Sequence, residues 1–152
     1  MPSLSYESIY KKALTMINDL ELATYTEDDF YDILREWLQT TSSLPLLRKK
    51  FSSYSLDDEI MTLTFTLNNS VDDEFDKNFV KTILAKGIII NYFPSKLEST
   101  KNLATMIGGK EEKVLINTYS KNIERLTQLE REWERDLSRH SYYFSEYGGT
   151  NG

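Results

Sequence analysis

The 152-residue chain contains no cysteine, and this absence excludes several kinds of site. Without a thiol there is no disulfide bond, no zinc–thiolate centre and no cysteine nucleophile. Histidine is almost as scarce, because His140 is the only one. A zinc site built on a pair of histidines is therefore excluded as well.

Long apolar runs are also missing. The longest strongly apolar run covers residues 87–93, far fewer than the roughly 20 residues that a membrane-spanning helix needs. The first residues lack the basic and then apolar pattern of a signal peptide. We therefore expect a soluble, intracellular protein that has no membrane partner.

The composition bounds the size and shape of the fold. A chain of this length is most simply one domain, residues 1–152, with a modest core. Hydrophobic residues reach only 39%, while charged residues reach 28%. This balance favours elongated helices with much solvated surface, or burial of part of the chain against partners.

Catalytic and nucleotide-binding patterns are missing too. Residues 108–110 (Gly-Gly-Lys) lack the glycine spacing and the hydroxyl residue of a phosphate-binding loop. His140 has the chemistry of a general base, but no nucleophile motif surrounds it. Acidic clusters at residues 27–29, 57–59 and 72–74 do not match calcium-loop spacing, and the first and third coincide with predicted helix starts. The sequence predicts no enzyme, no cofactor and no metal.

Residues 71–94, the most apolar stretch of this length, predict a central helix. Ser70 stands at the N-cap, acidic residues 72–74 fill the first turn, and Pro94 is expected to end the helix. Because residues 88–93 are apolar nearly all round, we expect burial on more than one side. The alternative is a core strand at residues 87–93. The apolar positions recur at helical steps: Phe75, Phe79, Ile83, Leu84, Ile88 and Tyr92.

Three helices are predicted in residues 1–50. The first covers residues 5–22, with an apolar stripe of Ile9, Ala13, Met16, Ile17 and Leu20. Thr26 and Asp29 resemble a capping box that opens the second helix. The stripe of that helix is Phe30, Ile33, Leu34, Trp37 and Leu38, and residues 40–43 end it. A short third helix begins at Pro45 and ends near Phe51.

After Pro94 the polar residues 95–109 predict a loop, with one short helix near residues 100–106 at most. Residues 110–141 then predict a helix roughly 45 Å long at 1.5 Å per residue. Leu129 substitutes for Glu130, which interrupts the narrow apolar seam. The seam contains Ile116, Tyr119, Ile123, Leu126, Trp133, Leu137 and His140. Residues 142–152 show no helical pattern.

Residues 60–67 show the strict alternation of a half-buried strand. Met61, Leu63, Phe65 and Leu67 form one face, and threonines form the other. Residues 52–56 are a weak candidate for a hairpin partner; the alternative partner is another chain. Because neither charge nor proline protects this edge, we expect a second chain to add a strand there. The predicted interface residues are Met61, Thr62, Thr64 and Thr66. The expected fold is therefore a mainly α-helical bundle with a long C-terminal helix and a single short strand or small hairpin, within residues 57–94.

Two further groups are candidate interface residues. Arg131, Arg135 and Arg139 form one row at steps of four, which suits nucleic acid or a neighbour's carboxylates, although a solvated face explains it more simply. Aromatic residues in the tail commonly dock on another surface, either on the same subunit or on a partner. They are Tyr142, Tyr143, Phe144 and Tyr147.

The net charge of −6 is distributed unevenly. Residues 1–76 contain 6 basic and 15 acidic side chains, a net charge of −9. Residues 77–152 contain 12 basic and 9 acidic side chains, a net charge of +3. Such polarity favours head-to-tail association of like subunits. The alternative is chance combined with acidic helix starts.

The order of these elements resembles one known class of protein. A strand ending in Leu-Asn-Asn is followed by an acidic helix that runs into KGIIINYFPSKLES, a loop with NLATMIGGKEEK, and a long charged helix with an aromatic tail. Over about residues 51–147 the chain resembles the small head–tail connector (neck or adaptor) proteins of tailed bacteriophages. The N-terminal helices fit this pattern less clearly.

The resemblance implies a virion structural protein that is made in the host cytoplasm and located in the neck. Its copies would form a ring, usually of twelve subunits, that contacts the portal and the tail or other neck proteins. The ring would extend the channel through which DNA passes without sequence-specific binding, and an acidic surface suits such passage. The alternative function is a small helical regulatory or adaptor protein that binds one protein partner.

Overall fold

A computed structural model of the chain describes residues 2–19 and 27–151, and the side chains of residues 2–17, 31, 33–94, 108–110, 113 and 117–140. This part of the chain is mainly helical and has one small antiparallel sheet, which confirms the predicted class. The small hairpin that the prediction allows is present, because residues 52–56 lie in a strand that pairs with Thr62–Leu67, but the prediction lacks the third strand, Ser3–Ser5. The elements are β1 (Ser3–Ser5), α1 (Tyr6–Asp19), α2 (Glu27–Ser42), α3 (Pro45–Arg48), β2 (Phe51–Asp57), β3 (Thr62–Leu67), α4 (Asp73–Ile107) and α5 (Gly109–Asn151).

The first two helices bury the predicted stripes against α4. Ile9, Ala13 and Ile17 of α1 are fully buried, as are Leu34 and Leu38 of α2. Apolar residues at these helical steps lose their contact with water on one face, which holds both helices on the core. Leu20 and the capping threonine at position 26 lie outside the described residues, and the side chain of the residue at position 30 is not described.

The third helix is shorter than predicted. It ends at Arg48, and Phe51 begins β2 instead of ending the helix. Phe51 lies opposite Leu67 in the sheet, so its main chain is part of the strand ladder. Strand pairing thus takes over the main-chain hydrogen bonds that a longer helix would have used.

The sheet has the order β1-β3-β2, and both pairings are antiparallel. Leu63, Phe65 and Leu67 of β3 are buried, as the alternation predicts. The predicted strand starts two residues too early, because residues 58–61 form the turn from β2. Met61 has a φ of 50° in this turn, so its side chain is exposed and is not on the apolar face.

Helix α4 begins with a different cap from the predicted one. The side chain of Asp72, not that of Ser70, accepts the main-chain N–H of Phe75 at 2.8 Å. Ser70 instead donates its hydroxyl hydrogen to Asp76, which also accepts the N–H of Val71 at 3.1 Å. Asp76 is buried and accepts both of these hydrogen bonds. The N-cap is therefore Asp72, two residues later than predicted.

The loop predicted for residues 95–109 is wrong, because α4 continues through Pro94 to Ile107. The alternative strand at residues 87–93 is also wrong. Pro94 is exposed, so water can satisfy the carbonyl that loses its helical donor. Phe93 immediately before it is fully buried, which fixes the helix axis at this point. Tertiary packing therefore outweighs the local preference of proline.

Helix α4 lies at the centre of the fold and contacts α1, α2 and α5. Its buried residues point to several sides, which confirms the expectation for residues 88–93. Helix α5 turns back along α4 after Gly108 and Gly109, whose φ angles of 74° and 70° suit glycine. The predicted seam is confirmed where it is described. Leu126, Leu129, Trp133, Leu137 and His140 are buried, and Tyr119 and Ile123 are partly buried.

Helix α5 is longer than predicted, since its main chain remains helical to Asn151. The prediction that residues 142–152 lack helical structure is therefore wrong for the described main chain. Extending an established helix costs little per residue, so the weak apolar pattern does not stop it.

Candidate functional site

The threonines of β3 lie on the outer face of the sheet. Thr62, Thr64 and Thr66 are half-buried, while the residues between them point into the core. Hydroxyl residues on both neighbouring strands face them: Ser3 and Ser55 lie opposite Thr64, Ser5 lies opposite Thr62, and Ser53 lies opposite Thr66. The outward direction predicted for the threonines is confirmed, and the face that they form carries small polar groups.

The free strand edge predicted at β3 does not exist. Thr64 has Ser3 on one side and Ser55 on the other, both within the same chain. The main-chain N–H of Phe65 also donates to the oxygen of Pro2 at 3.1 Å. A partner chain therefore cannot add a strand at Thr64. The periodicity of β3 could not reveal its pairing with β1, because three residues are too few for an alternating pattern to identify β1 as a strand.

The predicted arginine row is part of a longer charged surface on α5, which we call the basic stripe. Arg131, Arg135 and Arg139 are all exposed on the face opposite the buried seam. The stripe spans roughly 40 Å at 1.5 Å per residue and has five basic residues and one acidic residue. Its members are Lys113, Asn117, Lys121, Glu124, Gln128, Arg131, Arg135 and Arg139. The sequence prediction names only the arginines, although the same steps of three and four lead to Lys113 and Lys121.

The acidic turn between β2 and β3 is held by α1 and α2. The carboxylate of Asp58 accepts the Tyr6 hydroxyl at 2.8 Å and the Gln39 amide at 3.1 Å. Tyr6 begins α1 and Gln39 is on α2, so these bonds hold the turn on the α1–α2 side. Asp57 and Glu59 are exposed beside it. The exposed acidic turn is thus fixed to α1 and α2, whereas the exposed basic stripe lies on α5.

The tail aromatics Tyr142, Tyr143, Phe144 and Tyr147 lie on the helical main chain of α5. Their side chains lie outside the described part of the structure, so their proposed docking stays a prediction. Their place is nevertheless clear in one respect. They continue the helix that carries the basic stripe, rather than forming a separate irregular tail.

His140 sits in a packed environment at the end of the seam. Its ring stacks on Phe79, with 4.3 Å between ring centroids and 18° between planes. Burial lowers the pKa of His140, and the Lys50 ammonium group lowers it further, against Asp76 and a hydrogen bond to the main chain of Asn69. The ring borders a groove of about 260 Å³ that Phe75 and Phe79 also line. Its packing, rather than proton transfer, accounts for its position.

An ion pair closes one side of this groove. The ammonium group of Lys86 on α4 lies 2.9 Å from the carboxylate of Asp136 on α5. Both side chains are mostly buried, at 15% and 33% exposed. The pair ties the two long helices together. Arg135 beside it is exposed, and Arg139, also exposed, lines the groove together with Asp136.

Among the side chains that the structure describes, which do not include those of residues 27–29, no group of three or more potential metal ligands converges. The cluster at residues 72–74 begins α4, as predicted. Among the same residues, no helix is both long and apolar enough to cross a bilayer.

Comparison of the chain with known protein families, with curated proteins and with solved structures finds no match.

Proposed function

We propose that this protein is a structural subunit of a ring in the neck of a tailed bacteriophage. The ring would join the head and its portal to the tail and extend the channel for DNA. The proposed family rests on the resemblance of residues 51–147 to the head–tail connector proteins. The physical observation that supports assembly is the exposed basic stripe of α5 together with the exposed acidic turn that α1 and α2 hold.

The outer parts of α4 and α5 would give the subunit a second surface for assembly. Helix α4 continues beyond Phe93 for 14 further residues to Ile107, which is about 20 Å at 1.5 Å per residue. Helices gain most of their stability from packing of an apolar face. In a ring, a neighbouring copy would pack against this part of the two helices.

Head-to-tail contact follows from the placement of charge. The basic stripe of one copy would meet the acidic turn at residues 57–59 of the next. Such a contact joins two different surfaces, so repetition of it forms a closed ring when the rotation between copies closes. The twelve-fold order is what the resemblance implies.

Sedimentation velocity and negative-stain microscopy at low and high salt test this contact. We expect oligomers or rings at low salt and a smaller assembled fraction at high salt, because screening reduces attraction beyond about 8 Å at physiological ionic strength. A variant with Arg131→Gln, Arg135→Gln and Arg139→Gln should remain monomeric. The matched control removes three basic charges elsewhere, with Lys11→Gln, Lys12→Gln and Lys49→Gln, and should assemble as the natural protein does.

The outcomes separate the candidate functions. Assembly that strengthens with salt would mean that apolar burial, not charge, drives it. A protein that is monomeric at every concentration and binds one different protein in equal proportion would favour the regulatory or adaptor function.

DNA passage makes a separate prediction. Duplex DNA should bind weakly or not at all, because the acidic surface repels phosphates while the stripe is covered by a neighbour. Fluorescence anisotropy with labelled duplex DNA measures this. Tight, salt-sensitive binding that the triple arginine variant abolishes would instead assign the stripe to DNA.

A further inference from the structure

A cleft of about 670 Å³ opens between the start of α1, the middle of α2 and the turn before β3. It is separate from the basic stripe and from the groove at His140. Its lining combines phenol groups, a guanidinium group and apolar side chains, and the residues that matter here are Glu7, Tyr10, Tyr31, Arg35, Ile60 and Met61.

Tyr10 places a buried hydroxyl group on this cleft. The residue is only 1% exposed, and its hydroxyl makes no hydrogen bond to any described residue. Its ring packs on Tyr31, with 5.5 Å between ring centroids. Burial raises the pKa of Tyr10 to about 12, so the hydroxyl keeps its proton at neutral pH. A buried donor without an acceptor costs stability, and an acceptor that enters the cleft would remove that cost.

Arg35 supplies positive charge next to this donor. Its side chain is exposed, and its charge acts on the Tyr10 hydroxyl, as does the opposite charge of Asp58, whose carboxylate already accepts hydrogen bonds from Tyr6 and Gln39. Neither of the two ion pairs found among the described residues includes Arg35. Glu7 brings a negative charge to the same cleft, but Lys11 lies 3.2 Å from its carboxylate and compensates much of it. A planar guanidinium group beside a hydroxyl donor suits a carboxylate.

Two apolar side chains border the cleft at the turn. Ile60 is 68% exposed and Met61 is 42% exposed, in a turn that Asp58 anchors through Tyr6 and Gln39. Met61 is held at a φ of 50°, and its carbonyl accepts the N–H of Tyr6 at 2.9 Å. A non-glycine residue in this conformation is strained. The strained turn therefore leaves these two apolar side chains exposed beside the guanidinium group, instead of burying them.

We propose that this cleft binds a partner protein through a peptide carboxylate that has an apolar side chain next to it. The carboxylate would accept hydrogen bonds from Arg35 and Tyr10, and the apolar side chain would cover Ile60 and Met61. The carboxylate comes either from the C-terminus of the partner or from an acidic side chain. This site does not depend on ring formation.

Three small probes test the site by NMR titration of the ¹⁵N-labelled full chain. N-acetyl-leucine carries a terminal carboxylate, N-acetyl-leucyl-aspartamide carries a side-chain carboxylate, and N-acetyl-leucinamide is neutral. We expect saturable shifts in the amides of residues 5–10, 31–36 and 58–62 with the carboxylate probes and none with the neutral probe. The tighter of the two carboxylate probes identifies the source.

Variants connect the binding to the named groups. Arg35→Gln should weaken binding of the better probe at least about tenfold, because it removes a charge-assisted pair of hydrogen bonds. Tyr10→Phe should weaken it several-fold without lowering the melting temperature, since the lost hydroxyl has no partner in the unbound chain. Lys49→Gln, which removes an exposed basic side chain next to α3, is the matched control and should change nothing.

Three results would each contradict the assignment. One is the absence of saturable shifts with both carboxylate probes. Another is equal binding of the neutral probe, which would show that the cleft does not select a carboxylate. An unchanged affinity in Arg35→Gln would likewise remove the guanidinium group from the site.

Discussion

The indole N–H of Trp133 on α5 donates a hydrogen bond of 3.0 Å to the main-chain oxygen of Ile83 on α4. Both residues are buried, so the bond joins the two long helices inside the core. Trp133 also lies beside Gly87, where an added Cβ would be 3.5 Å from the indole nitrogen. The absence of a side chain at Gly87 allows the indole to approach α4 this closely.

Replacement of the indole should weaken the contact between the two helices. We expect Trp133→Phe to lower the free energy of unfolding by about 1–3 kcal/mol, because it removes a buried hydrogen bond and leaves a small cavity. Urea denaturation measures the change. Trp37→Phe is the comparison, since Trp37 is only half-buried and packs edge-on against Tyr92. An equal loss in both variants would contradict a special role for the Trp133 bond.

Gly87 should not tolerate a methyl group. Its Cβ would lie 2.6 Å from Cγ2 of Thr41, which is fully buried on α2. We expect Gly87→Ala to destabilise the protein by about 1–3 kcal/mol, although alanine alone favours a helix by roughly 1 kcal/mol.

The clash has a direct test by double-mutant cycle. Thr41→Ser removes Cγ2, so adding it to Gly87→Ala should restore part of the lost stability. If the two single losses simply add, the steric contact between Gly87 and Thr41 is not the cause.

These two contacts show where sequence reasoning succeeds and where it stops. The spacing of Trp133, Leu137 and His140 predicts the buried seam, because helical period depends only on local sequence. The same spacing does not say that Trp133 faces Gly87, since the match depends on the register of two helices. Likewise β1 and its pairing with β3 depend on residues far apart in the chain, and the cleft at Arg35 combines three separate elements. Pro94 gives a wrong prediction for the opposite reason. Proline has a strong local tendency to end a helix, but packing around Phe93 outweighs it.

The central position of β3 changes what a proline should do there. Phe65 donates its N–H toward β1, and alternation along an antiparallel strand therefore directs the N–H of Thr64 toward β2. Thr64→Pro removes this donor inside the subunit, and we expect a loss of about 2 kcal/mol or more. Thr64→Val keeps the donor and the branched shape and should be close to neutral. Thermal unfolding followed by circular dichroism compares the two, and a fully stable Thr64→Pro variant would place the donor outside the hairpin.

The lowered pKa of His140 should make stability depend on pH. Because the folded pKa lies below the usual value of about 6.5, the unfolded chain binds the proton more readily. The stability that neutral His140 contributes is complete above about pH 6.5 and is lost as pH falls toward the folded pKa. Asp76 opposes this effect and Lys50 strengthens it.

His140→Gln isolates the histidine from the carboxylates that also titrate. We expect the difference in unfolding free energy between the natural protein and the variant to shrink as the solution is acidified from neutral pH to about pH 5. Urea denaturation at each pH gives that difference. A difference that does not change with pH would show that His140 keeps its ordinary pKa in the folded protein.

The pairing of Ser3 with Thr64 has a consequence for the time course of folding. During synthesis β1 emerges first but has no partner until β3 is made. The hairpin of β2 and β3 needs only a short loop, whereas closing the chain between β1 and β3 costs more entropy, so β1 docks last. Until it does, the main chain around Leu63 and Phe65 is open to association with other nascent chains. A bulky fusion at the amino terminus that delays this step should therefore increase aggregation during expression, whereas an insertion between α4 and α5 at Gly108 should not.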